Sequence, residues 1–539
     1  MSELGDLVAP FLDLESAPFT LPGSRLLVLR SGAGLTIRRA EYERSLEDCV
    51  EVDLLLIRDV AGAVVPVSAV FPDRIEFAGG AVSLVFAGPD AVSIGARDDA
   101  GWNLAIGDDA FVLGQSTSVL VAVGERARVD HSYAAHAAEA TALWDAWFAR
   151  CPRVRADLQP MAAFCWWVLG VNTVTLTGQA DARAVVPSKI GYVGLWQWDA
   201  YFIAAGLRHG DPELAREQLD LAFRFPTAEG QLPDVVHDEG VLASSDDLPQ
   251  ADRDKLLRDG SSIARPNASI PLTKPPLAAW ALRRVLEVVD DAAWADTAWA
   301  AVARSQEWWF AHSDLDGDGM PEYGHPYSSG LDDSPIFDHE LPIPSPDLAA
   351  YLIVQDDLLA ERARGVGDST AAARYEERAL RTLALLETSW DEEAGFFRAG
   401  SPGHPLAEYA VVSLLPLLTG RLSPGRVDRM VAALADPELF ATPYAVPTVA
   451  RSDAAFSADR MWRGPVWVNI NALLVEGLAK SGRPELSREL AERTVQLVIH
   501  GGGPHEYFNA MTGRKAPHAT TAFGWSAALF LDLAVGLGE

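Results

Sequence analysis

The sequence predicts an N-terminal β-sandwich followed by an all-α barrel of six inner and six outer helices. Three observations predict it. Short apolar runs separated by Gly, Asp and Pro turns fill residues 1–128, the spacing expected of a sandwich. From about Asp130 onward the periodicity turns helical, with about a dozen segments joined by long loops. Fifteen of the 16 tryptophans fall in that second part, 129–539, many of them in the loops.

In the first part the strand-like runs are Arg25–Arg30, Val52–Arg58, Ala63–Phe71, Ala81–Phe86 and Ser118–Val123. The region carries a single tryptophan, Trp102, and no cluster of His and carboxylates, so its expected job is support. In the second part helices are expected over Ser132–Arg150, Leu158–Val174, Pro212–Phe225, Pro276–Val289, Asp291–His312 and Asp347–Arg364. Further helices are expected over Ser369–Trp390, Pro405–Leu418, Pro424–Leu434, Val466–Ser481, Pro484–His500 and Trp525–Leu537. Pro suits the first helical turn at several of these starts. An open solenoid is the alternative, but no repeat of 33–47 residues is present.

The net charge of −31 argues against nucleic acid and anionic membrane as partners, and suits a neutral or weakly charged small substrate. Cys49, Cys151 and Cys165 form no framework and read as buried thiols of a reducing compartment. No signal-like N-terminus and no run of about 20 apolar residues stands out, so a soluble cytoplasmic protein is expected. The oligomeric state is left open. Only five of the 44 basic residues are lysines, namely 189, 255, 274, 480 and 515.

The chemistry is concentrated in loop motifs. Tyr327–Asp338, with adjacent Asp332 and Asp333 between a Gly-Leu and a Ser-Pro, has neither helical nor strand periodicity and can present an acid to a substrate. Gly194-Leu-Trp-Gln-Trp-Asp-Ala-Tyr-Phe202 places Asp199 beside Trp196 and Trp198: a helix cap, or a carboxylate for sugar hydroxyls with an aromatic face against the ring. Gly230-Gln-Leu-Pro-Asp234 offers Gln231 on a turn. Thr273-Lys-Pro-Pro276 puts Lys274 on a loop entering a helix, either solvated or paired with a site carboxylate, Asp333 foremost, or with an anionic aglycone. Asp314-Leu-Asp-Gly-Asp-Gly-Met-Pro-Glu322 starts like a calcium loop, but His325 stands where an EF-hand needs Glu. A smaller structural Ca²⁺ site of Asp314, Asp316, Asp318 and Glu322 competes with a plain Asp-Gly turn. Met461-Trp-Arg-Gly-Pro-Val-Trp-Val-Asn-Ile-Asn471 brings Arg463, Trp467 and Asn469 to a helix start, and Trp525 opens the last helix. Gly501–Gly513 carries Glu506 between His505 and Tyr507.

Taken together and in order, Trp-Gln-Trp-Asp-Ala-Tyr-Phe, Lys-Pro-Pro, Ser-Gly-Leu-Asp-Asp-Ser-Pro, Trp-Arg-Gly-Pro-Val-Trp-Val-Asn-Ile-Asn and Glu-Tyr-Phe-Asn-Ala-Met-Thr-Gly resemble glycoside hydrolase family 63 and its relatives, the mannosylglycerate and glucosylglycerate hydrolases among them. The resemblance covers residues 155–535. It implies an (α/α)6 barrel and an inverting, exo-acting α-glycosidase with Asp332 as general acid, Glu506 as general base and Asp199 in the −1 subsite. Two positions depart from the family pattern: Ser328 stands where Glu is common, and Lys274 where Gln is common.

Under that reading Asp332 must be protonated to donate to the leaving oxygen, while ionised Glu506 activates a water on the opposite ring face. Asp333, Asp199 and poor solvation are expected to raise the acid's pKa. No cofactor is required. The substrate is an α-glucoside, α-mannoside or oligosaccharide. Two alternatives stand beside it: a phosphorylase on the same ring, or a sugar-binding protein without catalysis.

Overall fold

Antiparallel pairing dominates the N-terminal part because its β-branched runs are short and joined by tight Gly and Asp turns. The computed structural model describes residues 3–179, 182–250, 253–254, 269–401 and 403–538. Lys255 lies outside them. A short helix, α1 (Glu3–Val8), precedes twelve strands. They are β1 (Leu26–Ser31), β2 (Gly34–Arg39), β3 (Val50–Arg58), β4 (Val64–Val65), β5 (Val67–Val70) and β6 (Ile75–Phe77), then β7 (Val82–Phe86), β8 (Ala91–Ala96), β9 (Trp102–Ile106), β10 (Asp109–Leu113), β11 (Ser118–Ala122) and β12 (Arg128–Asp130).

One sheet runs β1-β2-β3-β9-β10 with β4 on β3, and the other runs β12-β11-β8-β7-β6-β5. Alternation turns Val28, Leu35, Ile37, Leu55 and Leu104 of the first sheet and Ile75, Leu84, Val92, Ile94 and Val119 of the second into one continuous core. Several strands were not expected from sequence. β8 and β9 hold Ser, Gly, Asn and Ala among their apolar residues, and so carry little alternation of their own.

The helical part contains α2 (Tyr133–Phe148), α3 (Gln159–Val171), α4 (Gln197–Leu207), α5 (Pro212–Phe223), α6 (Ala278–Val285) and α7 (Ala292–His312). It continues with α8 (Pro346–Gly365), α9 (Ser369–Glu387), α10 (Pro424–Ala435), α11 (Val468–Lys480), α12 (Pro484–Gly501) and α13 (Gly524–Gly536). Six elements pack neighbour to neighbour in a closed circuit: α4, α6, α8, a 3₁₀ segment Leu415–Thr419, α11, α13 and back to α4. That circuit is the inner ring of an (α/α)6 barrel. Every residue of α4 is buried, as an element enclosed on all sides requires. Outer helices stand behind it: α5 behind α4, α7 beside α6, α9 behind α8, α12 behind α11 and α3 behind α13. The helix α10 packs on Phe396–Phe397. No helix among the described residues is long and apolar enough to cross a membrane.

Two expected helices differ from the structure. The stretch Pro405–Leu418 forms two 3₁₀ pieces, Val411–Ser413 and Leu415–Thr419. Pro416 has no N–H to continue an α-helix and crowds the turn before it. The helix expected to reach Val174 stops at Val171, because Thr173–Leu176 pairs instead with Ala182–Val185. Its β-branched Thr-Val-Thr suits a strand better than a last helical turn.

Candidate active site

Five loops at the N-terminal ends of inner helices converge on one cavity of about 400 Å³. Its wall holds Tyr192, Trp196, Trp198, Asp199, Lys274, Asp332, Trp462, Trp467, Glu506 and Trp525. Each loop leads into an inner helix, so the positive ends of several helix dipoles face the carboxylates gathered there.

Asp332 lies just past a 3₁₀ turn, Pro326–Ser329, that ends on Gly330 in the left-handed region at φ 70°. A Cβ on Gly330 would come within 2.3 Å of the Trp198 ring, so glycine meets a backbone and a packing requirement at once. The carboxylate oxygen Oδ1 of Asp332 is sealed from solvent and has no hydrogen-bond partner among the described residues. Burial pushes the Asp332 carboxyl up to about 7. Lys274 opposes the shift, while Asp234, Asp333 and Glu506 add to it.

Glu506 enters from the loop after α12. Its Oε1 accepts from the Tyr192 hydroxyl at 3.1 Å and its Oε2 from the Thr520 backbone N–H at 2.8 Å. Burial raises this carboxyl to about 6, and the donors from Thr520 and Tyr192 hold it back. The two carboxyls thus face one cavity in opposite settings. On one, Oδ1 meets no donor among the described residues, which favours the protonated form; the other has two donors that favour the ionised form.

Asp199 is the third residue of α4, whose N-cap is Trp196, so Asp199 is not that helix's cap. It is buried against the cavity. Burial, with Asp234 and Glu506 nearby and Lys274 opposing, holds its carboxyl well above the usual range. Trp462 stacks on Trp467 at 3.6 Å and 7°, and Tyr507 continues the stack at 4.7 Å from Trp467. Trp525 meets Trp198 edge-on at 5.4 Å, and its Nε1 has no protein acceptor among the described residues. Stacked indole faces beside an unpaired donor and two carboxyls are what an apolar sugar face and its hydroxyls require.

The expectation for Lys274 is corrected. Its ammonium pairs with Asp234 at 3.2 Å and donates to the Tyr327 carbonyl at 2.8 Å, so Asp333 is not its partner. Burial pulls the Lys274 pKa down, but Asp234 and Asp332 outweigh it and keep the group charged. Burial in turn raises Asp234 to about 6 against the pull of Lys274.

Four other expected contacts are not at the cavity wall. Asp333 turns to the neighbouring loop, accepting from the Trp462 N–H at 2.8 Å and Arg460 Nε at 3.2 Å, and so clamps the aromatic stack from behind. Arg463 pairs with Asp338 through Nη1 at 2.7 Å. Gln231 spends its amide on the Ala243 and Leu272 carbonyls at 2.7 and 2.8 Å. Asn469, the second residue of α11, is fully buried and does not line the cavity. Of the expected calcium ligands, three stay together and Glu322 is corrected. The carboxylates of Asp314, Asp316 and Asp318 come within 4.8 Å of one another, and each also accepts a backbone N–H of its own turn. Glu322 is not with them: it turns inward to the Leu315 N–H at 2.9 Å, and burial lifts it to about 7.

Two residues were missed by the sequence reading. Tyr192, partner of Glu506, sits in Gly191-Tyr-Val-Gly194 just ahead of the Trp196 motif. Asp234 closes the Gln-Leu-Pro-Asp turn and had no role assigned to it. The signal was a lone lysine lacking a counterion in a buried motif.

Residues 192–526 match the sequence model of the mannosylglycerate hydrolase MGH1-like glycoside hydrolase domain. Mannosylglycerate hydrolase MGH2 of Selaginella moellendorffii is 28% identical over 64% of this chain and 81% of its own length. The mannosylglycerate hydrolase of Rubrobacter radiotolerans is 28% identical over 64% of this chain and 91% of its own. Among solved structures, the family 63 mannosylglycerate hydrolase of Thermus thermophilus in complex with glucose has a TM-score of 0.56 at 24% identity, covering 68% of this chain and 98% of that one. A bacterial glucoamylase complexed with acarbose has a TM-score of 0.54 at 12% identity, but covers 97% of this chain and 94% of its own. The fold is therefore shared along the whole chain with one neighbour and along two thirds of it with the other.

Proposed function

The chain belongs to the mannosylglycerate hydrolase MGH1-like glycoside hydrolase family, and on that premise we propose that it is an inverting, exo-acting α-glycosidase in which Asp332 is the general acid and Glu506 the general base. The observation that carries the assignment is the contrast in donors among the described residues: none at Asp332 Oδ1, two at Glu506. A protonated Asp332 gives its proton to the departing glycosidic oxygen. Ionised Glu506 takes a proton from water as the water attacks the anomeric carbon from the other face, and the product leaves with inverted configuration. Asp199 accepts from hydroxyls of the sugar held against the tryptophans.

The substrate is an α-glucoside or α-mannoside. The relatives' names make mannosylglycerate and glucosylglycerate the first compounds to try. Recognition of an anionic aglycone by Lys274 is not supported, since that ammonium is already committed to Asp234. The test is proton NMR of the reaction over a panel of glycerate-bearing and neutral α-glycosides. A β-anomer formed first, without any need for phosphate, is the expected result. An α-anomer formed first would overturn inversion, and phosphate dependence would replace hydrolysis with phosphorolysis.

A further inference from the structure

The cavity segment from Pro187 to Trp196 has two faces. On one, Pro187, Tyr192 and Trp196 line the cavity, and Tyr192 holds Glu506. On the other, the segment rests on the N-terminal sheets and their loops. Lys189 is buried, 2% exposed, and its amine donates to Thr20 Oγ1 and the Leu21 carbonyl, both at 3.2 Å. It has no carboxylate partner among the described residues; burial and the nearby Arg25 pull its pKa well below the lysine range. Val193 shares a small core with Leu27 and Ala40, the strand β1 and the end of the hairpin it forms with β2. Gly194 leaves room for the Tyr42 ring, which a Cβ would approach to 3.2 Å. Tyr42 stacks on His237 at 4.2 Å and 3° and leans on Trp196 at 6.0 Å. The family match begins only at Tyr192, so Thr20, Leu21, Tyr42 and Lys189 all lie ahead of it.

We propose that the N-terminal sheets are a positioning element of the active site, with Tyr42 and Lys189 as positioning residues that hold the Pro187–Trp196 segment so that Tyr192 keeps its hydrogen bond to Glu506. The chemistry is local. A segment this close to the reacting groups loses rate steeply when it shifts, since displacement by about 1 Å can cost on the order of 100-fold. Losing the Tyr192 donor also removes a force that keeps Glu506 ionised, so its protonation moves to higher pH. The other groups facing Glu506 are Lys515 and Tyr507 on its own loop, and Asp332 and Asp199 across the cavity.

The inference rests on Glu506 being the base, and the experiment separates the two. Tyr42→Leu, Tyr42→Phe, Lys189→Met and Glu506→Gln are compared in the full chain for kcat, KM, melting temperature and the pH dependence of kcat/KM. Tyr42→Leu and Lys189→Met are expected to lower kcat about tenfold and to move the acid limb up by roughly 0.5–1 unit, while Tyr42→Phe, which keeps the stacked ring, restores both. If Tyr42→Leu melts earlier but its kcat and acid limb are those of the parent, the contact is structural only and the inference falls. Lys189→Met decides the same question independently if Tyr42→Leu does not fold. If Glu506→Gln retains turnover, the base assignment itself fails. If that variant is dead while the positioning variants behave as the parent, only the positioning role is lost.

Discussion

The loop that carries Asp332 and the loop that carries Glu506 place the same functional group on the same cavity in opposite surroundings. In the first, just past a left-handed glycine against Trp198, one carboxyl oxygen meets no donor among the described residues. In the second, Tyr192 and Thr520 aim an O–H and an N–H at the two oxygens. The residue types say only that both are acids. Burial raises both, and on the proposed reading the donors at Glu506 are what set it apart from Asp332.

The comparison is broken most severely by removing the carboxyls. Asp332→Asn and Glu506→Gln should each lose about 10²–10⁴-fold in kcat, with melting temperature near that of the parent; a variant with parental turnover loses its assigned role. The same contrast sets the pH dependence. Activity should fall as pH drops through about 6, where Glu506 takes up a proton, and fall again as pH rises through about 7, where Asp332 loses one. The optimum is narrow and the two limbs belong to the coupled pair rather than to either residue. A flat profile from pH 5 to 8, roughly one unit or more beyond each limb, would contradict it.

Next comes Lys274. Its ammonium lowers Asp332 and neutralises Asp234 inside the protein. Lys274→Met should destabilise by about 3–5 kcal/mol, the cost of leaving one partner of a buried pair alone, and should shift the basic limb upward because the force depressing Asp332 is gone. A thermal melt with a pH–rate profile checks both halves; a downward shift would place the lysine elsewhere in the electrostatics. Gly330→Ala should cost about 1–2 kcal/mol for the left-handed backbone alone, and more because its methyl would enter the Trp198 ring. Stability unchanged in urea would mean that this turn is not constrained. The smallest effect is expected at Arg463→Ala, which breaks a pair with the half-exposed Asp338. About 1 kcal/mol or less of stability and an unchanged KM are expected; a tenfold rise in KM would return Arg463 to the cavity.

Much of this was legible in the sequence because motif loops keep their residues in order. Asp199, Lys274, Asp332, Trp467, Glu506 and Trp525 were expected at a shared site, and the structure brings all six to one cavity. Adjacent residues were harder to separate. Asp332 and Asp333 are equivalent in a string, but successive side chains on a turn point apart, and only one of them faces the cavity. Arg463 and Gln231 failed as contacts for a related reason: polar residues near a site also satisfy the loops that build it. Pairings across long separations, Lys274 with Asp234 and Tyr192 with Glu506, leave no local pattern. Nor could periodicity tell that the N-terminal sheets reach the cavity wall, since Tyr42 looks like any loop tyrosine.

The most direct test of the division of labour is a leaving-group experiment. Asp332→Asn and Glu506→Gln are each assayed on an alkyl α-glycoside, whose leaving oxygen needs a proton, and on the matching nitrophenyl α-glycoside, whose leaving group departs without one. The account predicts that Asp332→Asn recovers most of its lost kcat/KM on the nitrophenyl substrate while Glu506→Gln stays inactive on both. Recovery by Glu506→Gln instead, or equal losses by both variants on both substrates, would contradict it.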